Sequence, residues 1–245
     1  MRTSGSEQHL GPPVELVVAH YNSNLSWTPG MLAALGSANL TLQNVGREGH
    51  TYLHHLYERY HSLAEVTLFA MDSALLSRDK RQGLRELKAS WRRALSQGFF
   101  CSGLDHHAPP WSFALSRWQG TSDDSAAGSH NAAQRQRAGP QLQPAHPRPF
   151  GLWYAEYIGG GLPRAWCPGA FLAVHRSRVQ QRPRVFYKAL LEQLSTGENP
   201  EAGHYLERSW AAIFLVPAAL PRCQLRLPGR RAAQASSPAP SCVTL

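Results

Sequence analysis

Three short apolar runs, separated by stretches of helical periodicity, constrain this chain more than any other feature. Val14 to Tyr21 reads as a buried strand, with Val14, Leu16, Val17, Val18 and Ala19 almost uninterrupted. Glu65 to Met71 is a second such run, ending at Asp72, and Ala170 to His175 is a third. Strands that are apolar throughout, not alternating, suit a sheet covered on both faces. Strands separated by helices favour an α/β sheet over a sandwich. The expected fold is therefore one α/β domain with a mixed, mostly parallel sheet flanked by helices. A chain of 245 residues, 42% hydrophobic, is long enough to bury one core of ordinary size.

Helix signals fill the intervals. Thr28-Pro29 opens a short helix, with proline at the first helical position. Gly46 precedes a strongly amphipathic helix from about Glu48 to Tyr60. Lys80 to Gln97 is a basic amphipathic helix that stops before Gly98. Ser177 caps a helical stretch that Pro183 interrupts and that runs to Leu194, and a last helix spans Gly203 to Leu215. Leu152 to Ile158 reads as a further strand. Gly120 to Arg148, rich in Ala, Gln, Ser, Pro and Arg, has no apolar period. The expected organisation is a flexible N-terminus (1–12), a first part of the domain (13–119), a low-complexity disordered insert (120–149), a second part (150–216) and a disordered basic tail (217–245).

Charge and cysteines narrow the function classes. The tail contributes Arg222, Arg226, Arg230 and Arg231 and no acid, four of the formal +9. No aromatic residue lies among these arginines, so a base-stacking platform is missing and specific nucleic-acid binding is not expected. Cys101, Cys167, Cys223 and Cys242 form no CxxC pair, which argues against a zinc ribbon or thioredoxin-type site; they need not form disulfides. Residues 1–11 carry no apolar core of a signal peptide, and the longest apolar run, Trp210 to Leu220, is too short to span a bilayer. Cytoplasmic is thus the default expectation.

Two helices concentrate polar groups. On the helix from Glu48 to Tyr60, Tyr52, Leu53, Leu56, Tyr57 and Tyr60 gather on one side; Arg47, His50, Thr51, His54 and Glu58 gather on the other. The second stripe is close enough to act on one ligand; the alternative is a solvated face with a local Glu–His hydrogen bond. The glutamate of an HExxH metal motif is replaced by Thr51. On the last helix His204, Glu207, Arg208 and Ala211 oppose Leu206, Trp210 and Ile213. That face offers a carboxylate base and a guanidinium for an anion, or is simply exposed. Asp72, at the carboxyl end of its strand, is placed to hold a divalent metal with nucleotide phosphates, or to cap a turn. Tyr21, Asn22 and Asn24 stand at the equivalent end of the first strand. Gly159-Gly160-Gly161 lacks the strand and helix of a phosphate cradle and reads as a loop.

Several blocks together resemble the family called domain of unknown function 3431. They are Tyr21-Asn22-Ser23-Asn24-Leu25-Ser26-Trp27, Asn44 to His55 (NVGREGHTYLHH), Gly169 to Val174 (GAFLAV) and Gly203 to Trp210 (GHYLERSW). The likeness covers about residues 14–216 outside the insert. The layout is in turn similar to GT-A-type glycosyltransferases: an opening strand with a Tyr-Asn turn, a late Gly-Ala-Phe strand and a closing Glu-Arg-x-Trp helix. That resemblance implies a GT-A-like sheet and an enzyme acting on a sugar nucleotide with a glycan or small acceptor. It also implies Mn²⁺ or Mg²⁺ at Asp72. Glu207 becomes the candidate base, with His50 and His54 orienting substrate. Tyr21, Asn22, Arg47, Thr51, His204 and Arg208 become binding residues. Ser23-Asn24 stands where the family has Glu-Asp, and no Asp-x-Asp is present. A second reading therefore stands beside the first: a non-catalytic or degenerate binding domain that keeps the fold.

Overall fold

The structure, a computed structural model, describes residues 13–20, 25–35, 39–42, 46–115, 143–159, 163–197 and 199–215. The first run forms β1 (Val14–Ala19), followed by α1 (Thr28–Leu35), β2 (Asn39–Leu42), α2 (Arg47–Glu58) and β3 (Val66–Met71). A 3₁₀ turn, Asp72–Leu75, leads to α3 (Arg78–Ser90), α4 (Arg93–Gln97) and β4 (Phe99–Cys101). Beyond the insert come α5 (Phe150–Tyr157), β5 (Leu172–His175), α6 (Arg176–Val179), α7 (Arg184–Leu194), α8 (Glu201–Glu207) and α9 (Trp210–Leu215).

Five strands of the described residues make one mixed sheet in the order β2-β1-β3-β5-β4. β1 pairs in parallel with β2 and β3, whereas β5 runs antiparallel to both β3 and β4. The register places Leu42, Ala19 and Met71 side by side, with Cys101 opposite Leu172 on the far strands. The carboxyl ends of β1 to β4 and the start of β5 therefore share one edge, the usual ligand edge of an open α/β sheet. β1 and β3 are buried along their whole length, apolar except for Glu15 and Thr67.

The segment expected as a strand at Leu152–Ile158 is instead helix α5. Phe150, Trp153, Tyr154 and Ile158 are buried at helical spacing, a stripe that places four large side chains in the core where alternation would have exposed Trp153 or Tyr154. The basic helix expected at Lys80–Gln97 is two helices. Ser77 caps α3 through Lys80 N, and the chain stops at left-handed Gly98 as expected. The last helix is also two, α8 and α9, broken after Glu207. Cys101 and Cys167 are joined in a disulfide with Cα atoms 6.0 Å apart, tying the end of β4 to the loop before β5.

Most of the insert, 120–142, lies outside the described residues together with 116–119, as do the N-terminus and the tail. Its far flank does not: residues 143–149 pack on the domain. Glu201, fully buried, accepts hydrogen bonds from Leu115 N (2.6 Å), Ala145 N (2.9 Å) and Arg148 Nη2 (3.1 Å). One carboxylate thus clamps both ends of the insert.

A second buried network locks α2 to the amino ends of the strands. Glu15 Oε1 accepts from His55 Nε2 (2.9 Å), Thr67 Oγ1 (2.9 Å) and Ala64 N (3.3 Å). Burial pushes the Glu15 carboxyl up, but these donors and the facing imidazole win and hold it below its ordinary value.

Candidate functional site

The amino end of α2 reaches the carboxyl edge of the sheet, and its entry is unusual. Gly46 (φ 67°) and Arg47 (φ 62°) are both left-handed. Gly46 has no room for a side chain: a Cβ would stand 2.4 Å from Leu194 O. Arg47, an L-residue held in this sparsely populated region, marks a position that its surroundings over-determine.

Its guanidinium donates through Nη1 to His204 Nε2 at 2.7 Å. Since arginine only donates, Nε2 is the acceptor and the proton of the neutral ring sits on Nδ1. His204 is buried, and burial, then the charges of Arg47 and Arg208, push its pKa well below the ordinary value. Arg208 donates through Nη1 to His204 O (3.0 Å). Its guanidinium carbon lies 3.6 Å from the Phe113 ring centre and 5.2 Å from that of Trp166. The two rings hold the cation in one place.

Glu207, next in the chain, accepts from Gly169 N at 2.9 Å. Gly169 (φ 83°) and Ala170 (φ 51°) form a left-handed pair just before β5, and Ala170 O accepts from Tyr52 Oη at 3.0 Å. Burial first, then the carboxylate of Glu48, raise Glu207 above the usual carboxylate range. The Gly169 N–H, Arg47 and Arg208 offset only part of that. Tyr52 is buried with Glu48 and Asp72 near it and stays neutral well beyond its ordinary range.

A cleft of about 290 Å³ opens at the same edge. One wall is the loop Pro168-Gly169 with Phe171, and the other is the first half of α3, with Asp79, Lys80 and Glu86 on it; Ser102 and Gly103 lie between. Gly169 is the shared element: its outer side lines the cleft and its N–H rests on Glu207.

Arg47, His204, Glu207 and Arg208 are thus brought together. The expectation that His204 and Ala211 share an open face is corrected: both are buried, because the chain turns after Glu207 and α9 packs inward. Thr51 is also corrected, from the open stripe of α2 to full burial, since α7 and α8 cover a second side of that helix. Among the described residues its Oγ1 has no hydrogen-bond partner. His50 and His54 are half-buried, their rings 6.2 Å apart, each with Nδ1 unpartnered among the described residues. Burial and then His54 lower the His50 pKa. Both lie along α2 beyond the cluster, with His50 beside Leu194. Tyr21, Asn22 and Asn24 lie outside the described residues.

Asp72 is buried at the carboxyl end of β3, where it begins the 3₁₀ turn, and its carbonyl accepts from Trp27 Nε1 at 3.4 Å. Among the described residues no three His, Cys, Asp or Glu side chains converge on one point. Sequence reasoning missed the Glu15–His55–Thr67 network and the role of Glu48, whose carboxylate faces both Glu207 and Tyr52. The Glu48 position, one turn before Tyr52 on α2, was the available signal.

The sequence profile of the family described as "Protein of unknown function (DUF3431)" matches residues 16–225, so the chain belongs to that family. Comparison with curated proteins and with solved structures yields no match.

Proposed function

We propose that the chain is a glycosyltransferase-like enzyme that transfers a sugar from a sugar nucleotide to a hydroxyl acceptor. The observation that carries this reading is Glu207: a carboxyl raised above its usual pKa, seated on the Gly169 N–H behind the wall of a cleft at the carboxyl edge. A raised carboxyl is a better base toward an alcohol near neutral pH than an ordinary one. In the proposed step the acceptor oxygen attacks the anomeric carbon and the carbon–phosphate oxygen bond breaks. The nucleoside diphosphate leaves with the electron pair, and Glu207 takes the hydroxyl proton. Arg47 and Arg208 supply positive charge for the developing phosphate charge. His204, kept neutral, aligns Arg47. His50, Thr51 and His54 have no part in this step. No step is routed through a metal; Asp72 is the residue that would hold a divalent cation together with the nucleotide phosphates. GT-A-likeness of the sheet belongs to the same proposal; support for it is the parallel β2-β1-β3 core with an antiparallel β5 beside it.

A second reading, a binding domain without turnover, is favoured by one observation: Arg47 already rests on His204 and Glu207 on Gly169, with no Asp or Glu among residues 21–24 of the sequence. Thermal-shift titration with a panel of sugar nucleotides, with a parallel hydrolysis and transfer assay, separates the two. A ligand at 100 times its Kd adds about 2.7 kcal/mol. Stabilisation with turnover supports the enzyme, stabilisation alone supports the binding domain, and no stabilisation by any sugar nucleotide removes both.

A further inference from the structure

Helix α3 presents a stripe of cations that the proposed reaction does not use. Arg78, Arg81, Arg85, Lys88 and Arg92 are all exposed. They are spaced three, four, three and four residues apart, which at 100° per residue confines them to an arc of about 80°. The backbone stays helical through Trp91 (φ −55°, ψ −30°) and Arg92 (φ −60°, ψ −16°), so the row runs straight for roughly 21 Å at 1.5 Å per residue. Among the described residues none of the five has a carboxylate within ion-pair distance. The two acids of the helix lie off the row: Glu86 is occupied by Gln82 and the Gly103 N–H, and Asp79 faces the cleft. Elsewhere the chain balances its helices, as Lys188 and Glu192 do on α7. Like charges at these spacings weaken a helix, so the row carries a standing repulsion that an anionic partner relieves.

The shape of the row selects the partner. An amphipathic helix that inserts into a membrane surface carries a band of apolar side chains beside its cations; here Leu87 and Trp91 are buried in the core, and the exposed leucines, Leu75 and Leu95, lie beyond the two ends of the row. A rigid duplex is convex and meets a straight helix lying flat on a domain at one crossing only. A flexible chain follows the whole row. Single-stranded nucleic acid relies on aromatic platforms for its bases, and the exposed face of α3 has none. Four of the five cations are guanidiniums, whose forked donors pair with sulfate oxygens in bidentate fashion. We infer that this face of α3 binds a sulfated polysaccharide, laid along Arg78, Arg81, Arg85, Lys88 and Arg92. The inference is independent of any chemistry in the cleft.

The test is titration of the full chain with a heparin oligosaccharide at physiological salt. The variant Arg81→Glu, Arg85→Glu, Lys88→Glu is expected to bind at least ~10-fold more weakly, because counterion release from three contacts is lost. A milder Arg81→Gln, Arg85→Gln, Lys88→Gln variant, checked by thermal melting, guards against a helix that fails to form. Reversal of Arg222, Arg226 and Arg230 in the tail is expected to change affinity by less than ~2-fold. Desulfated heparin of the same length is expected not to bind. Unchanged heparin affinity in a folded stripe variant overturns the inference, as does loss that follows the tail arginines. Tighter binding to oligo-dT or to phosphatidylserine vesicles than to heparin overturns the choice of partner.

Discussion

Arg47 Nη1 donates to His204 Nε2 at 2.7 Å, across 157 residues of sequence. This bond joins the left-handed entry of α2 to α8 and fixes which tautomer the buried imidazole adopts. Its consequence is a pH dependence of definite sign. His204 titrates well below its ordinary value in the folded chain, because burial and two guanidiniums oppose its protonation. Below about pH 6.5 the unfolded chain takes up a proton that the folded one refuses. Stability from this group is complete above that pH and is lost as the pH falls beneath it, by about 1.4 kcal/mol per pH unit. His204→Gln retains an acceptor for Arg47 and cannot titrate. Melting curves between about pH 7 and pH 5 are therefore expected to fall less steeply for His204→Gln than for the parent. Parallel profiles would show that His204 is not held neutral.

The insert has a sharp functional boundary at its far end. Replacing 116–142 by a short Gly/Ser linker is expected to change stability by only about 1 kcal/mol, since loop closure depends weakly on length. Both flanks already meet on Glu201, so a short linker closes the gap. Extending the deletion through Arg148 strips Glu201 of two donors and leaves a buried carboxylate. The expected loss is about 3–5 kcal/mol, read in urea melts. Equal stability for the two deletions would remove the clamp.

Helix α2 separates what was legible from what was not. Its apolar face was readable from spacing alone: Tyr52, Leu53 and Leu56 are all fully buried. Leu53→Ala is expected to lose about 2–5 kcal/mol, and His54→Ala little. Thr51 was misplaced because a wheel shows one face at a time, and the sides covered by α7 and α8 depend on elements 140 or so residues away, beyond the reach of local periodicity. Thr51→Val deletes a buried hydroxyl that lacks a partner, so it is expected to leave stability unchanged or raise it by up to about 1–2 kcal/mol. A fall of that size in thermal melts would show that the hydroxyl is satisfied.

The strands β1, β3 and β5 declared themselves because unbroken apolar runs leave a sheet few alternatives. β4 did not: its three residues, Phe99–Cys101, carry too little pattern. Helix α5 was misread because aromatic residues favour strands in isolation, while its burial at 150, 153, 154 and 158 follows the helical period. Glu201 and Glu15 were invisible as core residues, since a carboxylate is buried only when donors from distant segments converge on it. The Glu207 cluster was legible through its motif, but the sharing of Gly169 between Glu207 and the cleft was not.

Glu207 itself supplies the most informative variant. Burial and Glu48 raise its carboxyl, so folding favours the protonated form. That stabilisation is complete below the unfolded value of about 4.5 and disappears as the pH rises through the folded value. At neutral pH the ionised group is therefore a liability to the fold, and Glu207→Gln removes the charge while keeping an oxygen for the Gly169 N–H. The melting temperature of Glu207→Gln at pH 7 is expected to equal or exceed that of the parent, with the difference vanishing in acid. If Glu207 is the base for an acceptor hydroxyl, the same variant loses at least ~100-fold in transfer rate while sugar-nucleotide affinity holds. The parent's rate then falls on the acid side with a midpoint above the ordinary carboxylate value. A lower melting temperature with rate intact assigns Glu207 to supporting the Gly169-Ala170 turn. An unchanged rate in a stable Glu207→Gln protein sinks the catalytic proposal, because among the described residues no other carboxylate accepts from the Gly169 N–H and feels the charges of Arg47 and Arg208.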